Sequence, residues 1–254
     1  MTSAPPATRP ASFTRAQRSL WTAPDLPEGT ESFRAARPCN DEEPDEGASA
    51  MPPTPLIRHM DQLFQRADPW NYRSSPYEIR KRAVTLACLP QWRYGSAFEP
   101  GCANGVLSEQ LLTRCDALLC ADASAAALRR AAEQVGDRTG LTWRRMTVPD
   151  EWPDERFDLI VLSELMYYLD LDACGQVAER CLASLRPGGT VLACHWRHAA
   201  DDFRCTGEGA HAALRGVFEG SGVIGHMRMH RERDFLIDVW TKGRVPQPDA
   251  GTSP

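Results

Sequence analysis

The chain has 254 residues, of which 42% are hydrophobic and 25% are charged, and its net charge is −5. These proportions are ordinary for a soluble globular protein, and the acidic balance argues against a general nucleic-acid binder, which usually has a basic face. The sequence has no apolar stretch of about 18 residues and no apolar signal core, so we expect a cytoplasmic protein that does not engage a membrane. Its nine cysteines contain no Cys-x-x-Cys pair, which favours reduced core thiols over a metal site.

The first 55 residues differ in composition from the rest of the chain. They hold half of the 20 prolines and the acidic run Asp41-Glu42-Glu43-Pro44-Asp45-Glu46, and they show no sustained apolar periodicity. Such a segment cannot bury enough apolar surface to offset its ordering entropy, so we expect residues 1–55 to form a disordered tail, with Met51 as an alternative start residue. We expect a second disordered tail over residues 243–254, which assigns the folded domain to residues 56–242.

From residue 56 onward, short apolar runs alternate with segments of helical periodicity. Helices are predicted over residues 56–64, 77–88, 105–113, 125–135, 172–185 and 211–218. Strands are predicted over residues 96–99, 117–122, 141–148, 157–162, 190–194, 225–230 and 235–240. This alternation predicts an α/β fold with a doubly wound, mostly parallel sheet, in which the last two strands form an antiparallel hairpin. Ligands of such sheets bind at the carboxyl ends of the strands.

A glycine loop follows the first predicted strand, and an acidic residue follows the second. The loop runs Glu99-Pro100-Gly101-Cys102-Ala103-Asn104-Gly105, and its spacing departs from the Gly-x-Gly-x-x-Gly fingerprint of dinucleotide-binding domains. Its amides suit a polar ligand, although a simple glycine turn has the same pattern. Asp122 is placed to accept both ribose hydroxyls of an adenosine. Its alternative role, capping the next helix, can instead be filled by Ser124.

Two candidate catalytic residues follow later strands. Glu164 follows the apolar strand 157–162, where a carboxylate can accept a proton, orient a substrate amine or simply anchor the next loop. His195 follows the strand 190–194, and the ordinary histidine pKa of about 6.5 suits a general base at neutral pH, although most lone histidines are structural.

These features, in this order and spacing, resemble the class I S-adenosylmethionine-dependent methyltransferases, and they resemble the NodS-like family more closely still. The segments that carry the resemblance are Asp68-Pro69-Trp70-Asn71-Tyr72, Ser75-Pro76-Tyr77-Glu78, Glu99-Pro100-Gly101-Cys102, Arg114-Cys115-Asp116, Trp152-Pro153, Leu162-Ser163-Glu164 and Tyr167-Tyr168-Leu169. Because NodS methylates the free amino group of a deacetylated chitooligosaccharide, the resemblance implies N-methylation of an amino sugar or a related small amine. Ala103 stands where many methyltransferases carry glycine, and we expect it to tighten the loop without loss of binding.

The resemblance also implies roles for individual residues around S-adenosylmethionine. Glu99 and Gly101 are expected at the methionine part, Asp122 at the ribose, and Thr147 and Val148, at the end of the third strand, at the adenine. The other expected cofactor contacts are Arg73, Cys102, Gly105, Ala123 and Ser163. The expected acceptor contacts are Tyr72, Tyr167, Tyr168 and His198.

Some of these residues have a second interpretation. Arg73 suits the cofactor carboxylate because a guanidinium is planar, but a solvated loop arginine is an equal alternative. Trp70, Tyr72 and Tyr77 either close a lid over the cleft, where aromatic faces attract a sulfonium, or pack the N-terminal helices onto the sheet.

Other function classes stay open at this point. An O-methyltransferase and a non-catalytic domain that binds an adenosyl ligand are the nearest alternatives. A nicotinamide-dependent oxidoreductase is disfavoured by the missing fingerprint and by the terminal hairpin. A nucleic-acid methyltransferase is disfavoured by the acidity and by the lack of an Asn/Asp-Pro-Pro-aromatic run. We therefore expect a small-molecule methyl acceptor as the partner, and the sequence does not specify an oligomeric state.

Overall fold

The structure, a computed structural model, describes residues 53–243. The predicted N-terminal tail lies outside the described residues except for 53–55, and the predicted C-terminal tail lies outside them except for residue 243. The first helix begins at Pro55, one residue before the expected domain boundary. Proline suits the first turn of a helix because no amide is needed there, and the Thr54 hydroxyl caps this helix by accepting from the Ile57 amide at 3.3 Å.

Six α-helices and seven strands lie within the described residues. The helices are α1 (Pro55–Leu63), α2 (Pro76–Cys88), α3 (Val106–Leu111), α4 (Ala125–Val135), α5 (Leu171–Ser184) and α6 (Gly207–Ser221). The strands are β1 (Tyr94–Pro100), β2 (Cys115–Asp122), β3 (Leu141–Arg145), β4 (Phe157–Ser163), β5 (Leu185–Trp196), β6 (Ile224–Arg231) and β7 (Phe235–Lys242). Within residues 53–243, no helix has the length and apolar content that crossing a membrane requires.

The seven strands form one sheet in the order β3-β2-β1-β4-β5-β7-β6. Strands β1 to β5 run parallel to one another, whereas β7 is antiparallel to both β5 and β6. This topology confirms the predicted doubly wound, mostly parallel sheet with an antiparallel last strand. Central strand β4 is buried from Leu159 to Leu162, as expected of a parallel strand that helices cover on both faces.

Two hydrophobic clusters, one on each face, hold the sheet between its helices. Successive residues of β4 point to opposite faces, so Ile160 packs with Val177 of α5 and Leu214 of α6, whereas Leu159 packs with Cys88 of α2. The eight cysteines of the described residues are free thiols, and the seven that are buried lie in these clusters. The carboxyl edge of the sheet is therefore a rigid support for the loops that follow the strands.

The predicted end of the third strand is wrong. β3 ends at Arg145 and not at residue 148, so Thr147 and Val148 lie in the loop that follows the strand. The Met146 amide still donates to the Asp122 carbonyl at 3.1 Å. Thr147 then enters a turn, in which its carbonyl accepts from the Glu151 amide at 2.8 Å.

The predicted boundary between α5 and β5 also differs from the structure. α5 ends at Ser184, and β5 begins at Leu185 because Leu185 pairs with Phe157 of β4. Pro187-Gly188-Gly189, which separates the predicted helix 172–185 from the predicted strand 190–194, therefore lies inside β5, where the register between β4 and β5 shifts. The left-handed φ of 82° at Gly188 explains why a glycine is needed in this irregular segment.

Candidate functional site

A cavity of about 520 Å³ lies at the carboxyl ends of β1, β2 and β4, and the glycine loop forms part of its wall. Gly101 and Ala103 have φ values of 74° and 52°, in the left-handed region that favours glycine. A Cβ on Gly101 would lie only 3.0 Å from the Leu165 side chain. The amides of Gly101 and Cys102 both donate to the Ala121 carbonyl, at 2.7 and 3.0 Å, so the loop is tied to β2.

Asp122 ends β2 and lines this cavity. One carboxylate oxygen accepts from the Ala103 amide at 3.0 Å, and the other accepts from the Ser124 amide at 2.8 Å. The Ser124 hydroxyl caps α4, as the sequence predicts, by accepting from the Ala127 amide at 3.1 Å. Burial raises the pKa of Asp122 to about 6, although the backbone donors oppose this shift. Each carboxylate oxygen keeps a lone pair for a ligand hydroxyl.

Glu99 is buried at the end of β1 and lines the same cavity. Its Oε2 accepts from the Ser108 hydroxyl at 2.5 Å and lies 3.5 Å from the Cys120 thiol. Burial raises the pKa of Glu99 to about 8, with the Ser108 and Cys120 donors acting against the shift. A carboxyl group in this state becomes charged when a cation is placed beside it, so Glu99 is suited to an ammonium group of a ligand.

Three polar atoms of residues that line this cavity are buried without a hydrogen-bond partner among the described residues: Arg82 Nε, Asn104 Oδ1 and Glu164 Oε1. Arg82 belongs to α2, and its Nη1 donates to the Tyr72 carbonyl at 2.5 Å. Buried unpaired polar groups are costly, and each calls for a partner that a ligand can supply. The free N–H of the Arg82 guanidinium suits a carboxylate.

Arg73, the arginine that the sequence offers for the cofactor carboxylate, lies outside the wall of this cavity and outside that of a second, adjoining cavity. Its guanidinium forms an ion pair with Glu109 at 3.1 Å and is about half exposed. The Asp68 carboxylate accepts from the Tyr72 and Arg73 amides, at 2.8 and 3.0 Å, which fixes this loop. The geometry therefore does not favour the predicted contact of Arg73 with the cofactor, which stays a prediction, and Arg82 is the arginine that the structure places in the cavity wall near the glycine loop.

Helix α1 and the loop after β3 complete the cavity with largely apolar side chains. The loop supplies Thr147 and Val148, which line the cavity although they lie outside the strand. Asp61 of α1 accepts from the Ser124 hydroxyl at 2.6 Å and from the Ala126 amide at 3.2 Å, which anchors α1 to the start of α4. The apolar lining residues of α1 and its C-terminal cap are Leu56, Ile57, Met60 and Phe64.

A second cavity of about 420 Å³ adjoins the first, and the two share six lining residues. The shared residues are Trp70, Tyr72, Glu78, Lys81, Glu164 and Tyr168. The second cavity is otherwise lined by Tyr77, Tyr167, Trp196, Ala200, Asp202, Phe203 and Asp234. Aromatic rings and carboxylates therefore dominate its wall, with Lys81 as the basic side chain.

Aromatic packing decides which rings of the second cavity can contact a ligand face. Tyr167 stacks on Phe203 with ring centroids 3.8 Å apart, so one of its faces is covered. Tyr168 meets both of these rings edge-on. Trp70 and Tyr72 stack on each other at 5.4 Å, at the boundary between the two cavities.

Lys81 joins two carboxylates at this boundary. Its Nζ lies 3.0 Å from Glu78 Oε1, as a hydrogen bond, and 3.0 Å from Glu164 Oε1, as an ion pair without hydrogen-bond geometry. Burial opposes the charge of Lys81, but the two carboxylates outweigh burial and raise the lysine pKa. Glu164 Oε2 accepts from the Tyr167 hydroxyl at 2.5 Å and from the Trp196 amide at 3.2 Å.

The backbone of Glu164 is strained. Its φ of 54° lies in a region that a side chain of this size seldom adopts, and such outliers cluster at active sites. The Glu164 amide donates to the Cys194 carbonyl at 2.9 Å, which holds the residue against β5. Glu164 therefore lies where the sequence places it, at the edge of both cavities, but with its carboxylate anchored by neighbouring donors.

His195 lines neither cavity. Its Nε2 accepts from the Met166 amide at 3.0 Å, and its Nδ1 lies 3.0 Å from His211 Nε2. Burial lowers the pKa of His195 well below its usual range, and the charge of Lys81 acts in the same direction. Both ring nitrogens are occupied inside the core, so the geometry does not favour the predicted catalytic role of His195, which stays a prediction.

Gly105 and His198 also lie outside both cavities. A Cβ on Gly105, whose φ is 76°, would lie 3.1 Å from the side chains of Ala131 and Val135, so this glycine serves the packing of α3 on α4. His198 Nε2 lies 2.8 Å from Asp234, and Asp234 is the member of this pair that lines the second cavity.

The remaining predicted residues line the cavities. Cys102, Ala123 and Ser163 line the first, Tyr167 lines the second, and Tyr72 and Tyr168 line both. The cavity residues to which the sequence analysis assigned no role include Glu78, Lys81 and Arg82 of α2, together with Trp196 and Phe203.

Known proteins share this fold and part of this sequence. The family profile of Nodulation protein S (NodS) matches residues 57–217. Nodulation protein S of Rhizobium tropici is 32% identical over 127 residues, which are 49% of this chain and 53% of that protein, so the chain spans about half the length of this curated relative.

Two crystal structures extend the comparison. A Pseudomonas syringae protein, provisionally described as a methyltransferase, is 42% identical with a TM-score of 0.58, over 65% of this chain and 99% of that one. N-methyltransferase NodS from Bradyrhizobium japonicum WM9, in complex with S-adenosyl-L-homocysteine, has a TM-score of 0.64 over 75% of this chain and 98% of that one. Because the sequence identity to this NodS structure is 20%, the similarity shows a shared fold and nothing further.

Proposed function

The chain belongs to the NodS family of S-adenosylmethionine-dependent methyltransferases, and from that premise we propose that it methylates the amino group of an amino sugar or a related small amine. S-adenosylmethionine supplies, when bound, a methyl group activated on a sulfonium. The observation that carries the proposal is the pair of adjoining cavities. The first suits an adenosyl amino acid, and the second suits a cationic acceptor.

The first cavity offers a partner to each polar part of the methyl donor. Asp122 holds the ribose hydroxyls, and Thr147 and Val148 face the adenine. Glu99 binds the ammonium group of the methionine part, and the unpartnered Arg82 Nε binds its carboxylate. This assignment gives the buried Arg82 Nε the partner that it lacks among the described residues.

The second cavity supports an amine as the acceptor. Its wall carries the carboxylates of Glu78, Glu164, Asp202 and Asp234 against the single ammonium of Lys81, so a cation is attracted to it. Its aromatic rings can pack on a sugar face and also attract an ammonium group. Because the two cavities share one wall, an amine in the second lies beside a methyl group delivered in the first, and this alignment is the main requirement of an in-line transfer.

Incubation of the purified protein with S-adenosylmethionine and the β-1,4-linked dimer of glucosamine tests the proposal. Mass spectrometry is expected to show one added methyl group on nitrogen. The matched control substrate is the fully N-acetylated dimer, which keeps the hydroxyls but has no free amine, and no methylation of it is expected. Methylation of both dimers would indicate an O-methyltransferase instead. Methylation of neither, in protein that binds S-adenosylhomocysteine, would contradict the proposed acceptor.

A further inference from the structure

We propose that Glu78 is the residue that receives the ammonium group of the acceptor and takes its proton before methyl transfer, an inference that rests on the proposed function. Glu78 lies in the first turn of α2 and lines both cavities, with a side chain that is 13% exposed. The Ser75 hydroxyl caps this turn by accepting from the Glu78 amide at 3.5 Å. The carboxylate is therefore held at the passage between donor and acceptor.

The hydrogen bonds of Glu78 leave one of its oxygens available. Oε1 accepts from Lys81 Nζ at 3.0 Å, and among the described residues no donor contacts Oε2. Glu164 differs, because its Oε2 accepts from the Tyr167 hydroxyl and from the Trp196 amide, and its Oε1 faces Lys81. Protonation of Glu164 would disturb these contacts, so Glu164 is a positioning residue that orients Lys81 and Tyr167.

The charges around Glu78 favour a second cation. Lys81 neutralises only one of the two carboxylates that contact it, so the group of Glu78, Lys81 and Glu164 carries one net negative charge at the cavity boundary. An ammonium group at Glu78 Oε2 balances that charge. The buried Tyr77 hydroxyl has no partner among the described residues and belongs to a residue in the wall of the second cavity, where it can bind another group of the acceptor.

The groups that face Glu78 set its proton affinity. Burial raises the pKa of Glu78, whereas Lys81 and Arg82 of the same helix oppose the shift and Glu164 adds to it. The tyrosines of the surrounding wall, Tyr72 and Tyr77, are neutral at physiological pH. A carboxylate with a raised pKa is a better proton acceptor for an amine than an ordinary surface glutamate.

The proton transfer and the methyl transfer balance as two steps. First, a proton passes from the acceptor ammonium to the Glu78 carboxylate, which leaves a neutral amine with a free electron pair. The nitrogen then attacks the methyl carbon, so that an N–C bond forms, the C–S bond of the sulfonium breaks, and its electron pair stays on sulfur. The products are a methylated ammonium, S-adenosylhomocysteine and a protonated Glu78, which loses its proton when the product leaves.

The variant Glu78→Gln tests this role in the full chain. Calorimetry on the complex with S-adenosylhomocysteine is expected to show that the glucosamine dimer binds about 10-fold to 100-fold more weakly to the variant, because the bond from a charged donor to a charged acceptor is lost. S-adenosylhomocysteine itself is expected to bind the variant as it binds the wild type, which also shows that the variant is folded. The matched control is Glu155→Gln, which removes a surface carboxylate that pairs with Arg144 at 2.8 Å.

The pH dependence of kcat separates a proton acceptor from a structural residue. In the wild type, kcat is expected to fall as the pH drops through the pKa of Glu78 in the ternary complex. In Glu78→Gln the limb at the pKa of Glu78 is expected to be replaced by a rise of kcat with pH toward the pKa of the free amine, and kcat at pH 7 is expected to fall about 100-fold. Glu78→Asp is expected to keep the limb at a lower rate.

The outcomes separate this inference from the proposed function. If the wild type methylates the dimer and Glu78→Gln keeps both the affinity for the dimer and the pH profile, Glu78 is not the proton acceptor while the proposed function stands. If the wild type binds S-adenosylhomocysteine but neither binds nor methylates the dimer, the proposed function fails, and the role of Glu78 fails with it.

Discussion

His195 and His211 are joined by a contact of 3.0 Å between Nδ1 of His195 and Nε2 of His211, and both rings are buried. Because the Met166 amide donates to the other nitrogen of His195, the proton of the His195 ring lies on Nδ1. The proton of His211 then lies on its own Nδ1, which faces Asp238 at 2.7 Å. This series of hydrogen bonds keeps His195 neutral and lets it support the turn after β4.

Replacing His195 with asparagine is expected to lower the free energy of unfolding by about 2 kcal/mol at pH 8, because buried hydrogen bonds are lost. Since burial lowers the pKa of His195, the unfolded chain binds a proton below about pH 6.5 that the folded protein does not. The stability that neutral His195 provides is therefore present above that pH and lost as the pH falls. The cost of the substitution is expected to shrink by up to about 1.4 kcal/mol per pH unit below it.

Urea unfolding of the wild type and of His195→Asn, at pH values between about 5 and 8, measures how the cost of the substitution depends on pH. His198→Asn, at an exposed position paired with Asp234, is the control and is expected to cost less than about 0.5 kcal/mol at every pH. A cost of His195→Asn that does not change with pH would contradict the assignment of a neutral, buried His195.

Glu99 is expected to release about one proton when S-adenosylhomocysteine binds at pH 7. The pKa of about 8 keeps this carboxyl mostly neutral in the free protein, and the ammonium of the ligand favours its charged form. Calorimetric titration in two buffers of different ionisation enthalpy counts the protons. Glu99→Gln is expected to release none and to bind about 10-fold more weakly. If the wild type released no proton, Glu99 would not contact the ammonium group.

Arg82 and Arg73 are expected to differ in their effect on cofactor affinity. Arg82→Met removes the buried guanidinium and is expected to weaken S-adenosylhomocysteine binding about 30-fold. Arg73→Met removes an exposed ion pair with Glu109 and is expected to change the affinity by less than about twofold. 5′-Methylthioadenosine lacks the amino-acid part, so neither substitution is expected to change its affinity by more than about threefold. The opposite order of effects would assign the carboxylate to Arg73.

Gly105→Ala is expected to lower the free energy of unfolding by about 2 kcal/mol, because the new methyl group would press on Ala131 and Val135 at a left-handed backbone position. The folded variant is expected to bind S-adenosylhomocysteine with nearly unchanged affinity, because Gly105 lines neither cavity. Gly216→Ala is the matched control, since nothing lies near its Cβ position in α6, and it is expected to stabilise by up to about 1 kcal/mol. A large loss of affinity for S-adenosylhomocysteine in Gly105→Ala would contradict this prediction and would show that Gly105 contributes to cofactor binding.

Residues at the ends of parallel strands could be predicted from the sequence. Chain order alone places Gly101, Asp122 and Ser163 at one edge of the sheet, because each directly follows an apolar run that forms a strand. The same argument fails for Thr147, because β3 ends early and the residue reaches the cavity through a loop. It also fails for His195, because the direction of each side chain at a strand end depends on the sheet register, which directs Trp196 and not His195 into the cavity.

The charged segment of α2 could not be assigned from the sequence. In isolation, Glu78-Ile79-Arg80-Lys81-Arg82 is typical of a solvated helical turn. Helix α2 packs beside β7, where Tyr77 meets Phe235 edge-on. This packing buries the side chains of Lys81 and Arg82 and leaves that of Arg80 exposed. Only tertiary contacts distinguish the buried members of such a run from the solvated ones, so the charged group between the two cavities emerges from the fold.

Calorimetric titration with S-adenosylhomocysteine, and with NADH in parallel, tests the central claim most directly. We predict that the wild type binds S-adenosylhomocysteine in the micromolar range or tighter and does not bind NADH. We predict that Asp122→Ala does not bind S-adenosylhomocysteine. Asp116→Ala is the matched control, because this exposed aspartate near the start of the same strand lies outside both cavities, and it is expected to bind normally. No binding of S-adenosylhomocysteine by folded wild-type protein, or equal binding by Asp122→Ala, would contradict the account.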